Sequence, residues 1–108
     1  MTHPSDPAGR RLLNLLDLAR HALAEAHRQA RTGLRDEERL LLLGCLHDPE
    51  RPRDGILYML GELITDTSRD LPEGAAAEAL DEAAGYASDY PADRITRASA
   101  ILSTPADA

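Results

Sequence analysis

Residues 8–31 read AGRRLLNLLDLARHALAEAHRQAR, and their periodicity decides the fold class. Leu12, Leu16, Ala19, Leu23, Ala26 and Ala30 recur with spacing 4-3-4-3-4. At about 100° per residue these positions form one narrow stripe on a helix. Leu15 and Ala22 widen the stripe on one side. The opposite face carries Arg10, Asn14, Asp17, His21, Glu25 and Arg28. Leu13 and Leu18 fall off the stripe on either side, so they either meet further helices or stand exposed.

The rest of the chain has the same bias. Leucine and alanine supply 36 of 108 residues, while valine, phenylalanine, tryptophan and lysine are absent. Leu and Ala lose little freedom in a helix. The residues that suit a pleated sheet are reduced to four Ile, six Thr and three Tyr. The expectation is an all-α, compact, single-domain bundle of about five helices spanning residues 1–108. Residues 1–8 hold two prolines and read as a loose arm; residues 104–108 read as a frayed tail.

Thr32-Gly33 closes the first helix, glycine supplying the left-handed cap. The second helix is expected from Asp36 to Leu46, with Asp36, Glu37 and Glu38 at the positive end of its dipole. Arg35 stands where Ser or Thr would cap, so the capping box is incomplete. Leu40 to Leu43 with Leu46 are apolar on every side, which marks a helix buried all round or lying in a subunit contact. Pro49 and Pro52 break the chain. A third helix is expected from Asp54 to Thr67, with Ile56, Leu57, Leu60, Leu63 and Ile64 facing inward. Gly55 and Gly61 weaken that helix or allow close approach of another. Leu71-Pro72 opens a fourth helix to Ser88, with an inner stripe of Ala76, Ala79, Leu80, Ala83 and Ala87. Pro91 opens a fifth, to Ser103, with Ile95, Ala98, Ile101 and Leu102 as its apolar face.

Charge is unevenly placed. The net charge is −7. Residues 1–53 hold nine Arg against eight acids, and residues 54–108 hold three Arg against eleven. An acidic C-terminal half disfavours nonspecific binding to phosphate backbones. No apolar stretch approaches the roughly 20 residues that span a bilayer, and no secretory signal is visible. One cysteine, Cys45, excludes an intrachain disulfide framework. Cytoplasmic residence is the expectation.

Tests for chemistry are mostly negative. His21 and His27 lie about 120° apart on the first helix and do not share a metal. Glu-x-x-His is absent, so the bundle di-metal pattern fails. Cys45, His47 and Asp48 sit together, but no glycine-rich oxyanion turn surrounds them. His47 at a helix C-terminus complements the dipole, and Cys45 reads as a small hydrophobe. Paired carboxylates such as Glu62–Asp66 and Glu78–Glu82 share outward faces rather than opposing each other across a cleft. No phosphate-binding motif and no aromatic-lined pocket is legible. No metal, cofactor or catalytic residue is assigned, and the chain reads as non-enzymatic.

What remains is surplus apolar helix surface and one charged flank. The expected function is a small helical adaptor or regulator that acts through protein–protein contacts, with a homodimer as the simplest arrangement. The partner-binding candidates are Leu13, Leu18, Arg20, Arg28, Arg31, Leu41 and Leu42. Two alternatives stand beside it. One is a nucleic-acid-associated regulator that uses the flank of Arg10, Arg20, His27, Arg28 and Arg31. The other is an acidic mimic that occupies a basic protein groove through the fourth helix.

Overall fold

The computed structural model describes residues 6–104. The outer parts of the expected arm and tail, residues 1–5 and 105–108, lie outside the described residues. The chain is all-α: α1 is Pro7–Arg31, α2 Asp36–Leu46, α3 Ile56–Thr67, α4 Ala75–Ala87 and α5 Asp89–Ser103. One 3-10 turn, Pro52–Asp54, precedes α3, and there is no strand among the described residues. The chain divides after Leu34 into two units. The first holds α1, and the second holds α2 to α5.

In the first unit Pro7 occupies the opening turn, where its missing N–H costs nothing. The expected arm is therefore helical by Pro7. At the other end the Gly33 N–H donates to the Ala30 carbonyl at 3.1 Å, with Gly33 at φ 112°. Only glycine enters that region without penalty. Arg28 and Arg31 lie in the last turn, against the negative end of the dipole.

In the second unit α3 packs on α4, α4 on α5, and α2 on both α5 and α3. Gly55 and Gly61 are its buried residues, and no large apolar side chain among the described residues is fully buried. A Cβ on Gly61 would stand 2.8 Å from the Ser88 Cβ and 3.4 Å from the Ala84 carbonyl oxygen. A Cβ on Gly55 would stand 2.7 Å from the Leu46 carbonyl oxygen. The glycines thus let α3 approach the end of α4 and the end of α2 backbone to backbone.

That approach rotates the faces. The inner stripe runs Leu57, Gly61 and Ile64 on α3 and continues to Ser68 at its C-cap, again 4-3-4. Leu60 and Leu63, expected inward, are 39% and 44% exposed, because Gly61 takes the line of closest contact. On α4 the half-buried residues are Ala77, Leu80, Ala83, Ala84, Gly85 and Ala87. Ala76 and Ala79 face out, since the helix turns Ala84 toward α3. Ile101 is exposed too, and the covered face of α5 is Pro91, Ala92, Ile95, Ala98, Ser99 and Leu102.

Three boundaries differ from expectation. The Pro52–Asp54 turn takes the residues just before α3, which starts at Ile56. Pro72 does not open α4, because Gly74 at φ 158° breaks the chain first and the helix starts at Ala75. Helix α5 starts two residues ahead of Pro91, which sits in its first turn, where N–H groups have no intrahelical acceptor. One residue, Ser88, joins α4 to α5, and its carbonyl accepts the Ala92 N–H at 3.1 Å.

Glycine-to-alanine substitutions separate the two roles of glycine. Gly44 lies in α2 with nothing within 4 Å of its added Cβ, so Gly44→Ala raises stability by about 0.5–1 kcal/mol through helix propensity. Gly61→Ala gains the same propensity but overpacks the α3–α4 contact, for a net loss of about 1–2 kcal/mol. Urea unfolding of both variants checks the opposite signs.

Candidate functional site

Helix α1 carries the longest apolar face that its own unit leaves open. Leu12, Leu13, Leu15, Leu16, Leu18 and Leu23 are between 44% and 67% exposed. A single helix has no second element within the unit to bury them. The two alternating spacings, four and three, are those of a heptad seam, which faces one other helix rather than a broad core. Of the sequence candidates, Leu13 flanks the seam, while Leu18 lies farther round the helix.

The basic flank of α1 is partly compensated on the same helix. The Arg20 guanidinium pairs with Asp17, and the Arg28 guanidinium with Glu25, whose other oxygen accepts from Gln29 at 3.4 Å. His21 Nδ1 lies 2.8 Å from the Asp17 carbonyl oxygen. All these groups are exposed. Asp17 is held below its ordinary pKa, first by the Arg20 hydrogen bond and then by the charges of His21 and Arg20. Asp17 and Glu25, both on the polar face read from the sequence, are thus the acids that engage this flank. Arg31 lies with Arg28 in the last turn of the helix.

On α2 the all-apolar run does not share one fate. Leu41 is 71% exposed, whereas Leu40, Leu42, Leu43 and Leu46 are half-buried. Of the paired candidates, Leu41 therefore points outward and Leu42 contributes to packing. The start of α2 is secured by Glu38, whose Oε1 accepts the Arg35 backbone N–H at 3.0 Å and its Nε–H at 3.2 Å. Arginine has no side-chain acceptor, so only this half of the capping box forms. The same two bonds, the backbone one first, lower the Glu38 pKa. Cys45 is a free, exposed thiol, and His47 is half-buried at the C-cap.

The structure also brings together residues that the sequence does not connect. Two adjoining cavities share Gly85 and Asp89 in their walls. One, of about 290 Å³, is lined by Tyr58, Glu62 and Asp81 among others. The second, of about 460 Å³, is lined by Glu82, Tyr86, Tyr90 and Asp93. All three tyrosines of the chain and five carboxylates thus border one stretch of α3, α4 and α5. Tyr86 and Tyr90 meet edge to face with ring centres 6.0 Å apart. The Arg94 guanidinium carbon lies 3.7 Å over the Tyr90 ring, a cation–π contact. Tyr86 and Tyr90 are 68% and 53% exposed, so these hollows lie open at the surface. The legible signal was the four-residue step from Tyr86 to Tyr90, which keeps its helical meaning across the Ser88 junction.

Among the described residues, no three His, Cys, Asp or Glu side chains stand together as metal ligands do. No helix among them is long and apolar enough to cross a membrane. No protein-family model, no curated protein and no solved structure matches the chain.

The Glu38 and Asp17 carboxyls bind protons less readily folded than unfolded. Their contribution is therefore complete above about pH 4.3, the ordinary carboxyl range. It is lost as pH falls through the lowered folded values. Glu38→Gln removes the α2 share. Helicity followed by circular dichroism during acid titration is expected to differ between variant and parent above that range and to converge below it.

Proposed function

We propose that this chain is a small non-enzymatic adaptor or regulator that works by holding another protein chain against α1. The observation that carries this reading is the line of half-exposed leucines on a helix with no second element in its unit. Patches of that kind on soluble chains mark contact sites. Of the polar residues that flank it, Arg20 is already tied to Asp17 of its own helix, so apolar contact supplies the attraction. A cytoplasmic setting belongs to the same proposal, since an exposed lone thiol such as Cys45 persists where the medium is reducing.

A second reading, an acidic surface that receives a basic protein, is favoured by the five carboxylates around the tyrosine-lined cavities. The nucleic-acid alternative draws less support, because Arg20 and Arg28 already spend charge on Asp17 and Glu25.

Capture of proteins by the immobilised full chain separates the first two readings. With Leu16→Asp and Leu23→Asp together, specific capture, including capture of its own copy, is expected to fall at least tenfold. The substitutions Glu82→Gln and Asp89→Asn are expected to leave it unchanged. The reverse pattern overturns the α1 reading and favours the acidic surface.

A further inference from the structure

The α1 seam has a pattern that specifies its occupant. Numbered as a heptad, Leu16, Leu23 and Ala30 take the a positions, and Leu12, Ala19 and Ala26 take the d positions. In an antiparallel pair an a residue of one helix shares a layer with a d residue of the other. With Leu16 set beside Ala26 of a second copy, Leu23 falls beside Ala19 and Ala30 beside Leu12. Every layer then holds one leucine and one alanine. A parallel pair instead stacks like on like. It begins with two wide leucine layers in succession and ends on two empty alanine layers in succession.

We propose that α1 pairs antiparallel with α1 of a second copy of this chain in that leucine-on-alanine register. The inference rests on the α1 reading above and names its partner. Large residues facing small ones keep the two helix axes at constant separation and leave no void. Helix dipoles run in opposite senses, which favours the antiparallel order. Beside the seam, Leu13 of one copy lies near His27 of the other, and Leu15 near the Gln29 stem. Ala22 meets its own copy at the two-fold axis. Arg20 also meets its own copy there, and each carries the Asp17 carboxylate that offsets the repulsion. Leu18 stands off the seam and takes no part.

Helices of 25 residues, about 37 Å long, meet over a narrow strip, so the dimer belongs to the weak, reversible class. Each chain carries a net charge of −7, and added salt screens the repulsion between copies. Sedimentation equilibrium of the full chain is expected to show a mass rising from 11.7 kDa toward twice that value with concentration. The rise is expected to be stronger at high salt. Leu16→Ala, which leaves alanine on alanine, is expected to weaken association at least tenfold while helicity by circular dichroism is retained. Leu18→Ser is expected to leave association unchanged.

Orientation is read in a Cys45→Ser background. A bismaleimide added to a mixture of Leu16→Cys chains and Ala26→Cys chains, at a protein concentration raised to offset the weakened seam, is expected to join the unlike chains in preference to like ones. Preferential joining of like chains shows parallel pairing and overturns the proposal. A parent that stays monomeric at every concentration also overturns it. In that event, capture of other proteins that Leu16→Asp with Leu23→Asp still abolishes leaves the adaptor reading standing, and capture indifferent to those changes removes both.

Discussion

The second unit depends on a contact that no large side chain makes. Gly61 brings the backbone of α3 against Ala84 and Ser88, at the point where α4 gives way to α5. A methyl group there would meet the Ser88 Cβ at a distance real structures do not tolerate. Helix α3 therefore turns its glycine inward and two leucines outward. Bundles built on phenylalanine or valine fill their centres by volume. This chain has neither, and closes its helices by letting backbones touch. The consequence is a unit in which, among the described residues, the only buried ones are glycines and the apolar side chains are all partly wet. Such packing forgoes burial worth about 25 cal/mol per Å², and short helices depend on packing for most of their stability.

Helix α1 was legible almost whole, and the helix bounds of α2 agree with the sequence at both ends. The reasons are local: a long repeat, a proline at one end, a glycine at the other, and acids in a first turn. The faces of α3 and α4 were not legible, because periodicity weighs apolar size and therefore chose Leu60 and Leu63. Close packing rewards the smallest residue instead. Gly61 was visible as a feature that could cost stability or allow approach, and nothing in the linear pattern says which. The start of α4 was misplaced for a similar reason. Pro72 is a helix opener only when the residues after it stay helical, and Gly74 does not.

Beyond the Tyr86–Tyr90 step, the grouping around the tyrosine-lined hollows was not legible, for a topological reason. Tyr58 and Glu62 lie on α3, Asp81, Glu82 and Tyr86 on α4, and Asp89, Tyr90 and Asp93 on α5. Each reads in isolation as an ordinary outward residue. The single-residue junction at Ser88 keeps α4 and α5 nearly in step, so the two later tyrosines share an edge-to-face contact. The Gly61 approach then sets α3 close enough to share a wall at Gly85 and Asp89.

Charge and grease are divided between the units in opposite proportions. Residues 1–34 carry five arginines against three acids, and residues 35–108 carry seven against sixteen. The basic unit is also the one with the open leucine seam. Exposed ion pairs contribute little to association, and two of the five arginines are already engaged on their own helix. Leucine burial is thus the term large enough to hold a partner, and the arginines are too compensated to choose one by charge alone. Selection falls to shape. A seam that runs Leu-Leu-Ala-Leu-Ala-Ala is a poor match for a uniformly large face or a uniformly small one. It is a good match for its own reverse.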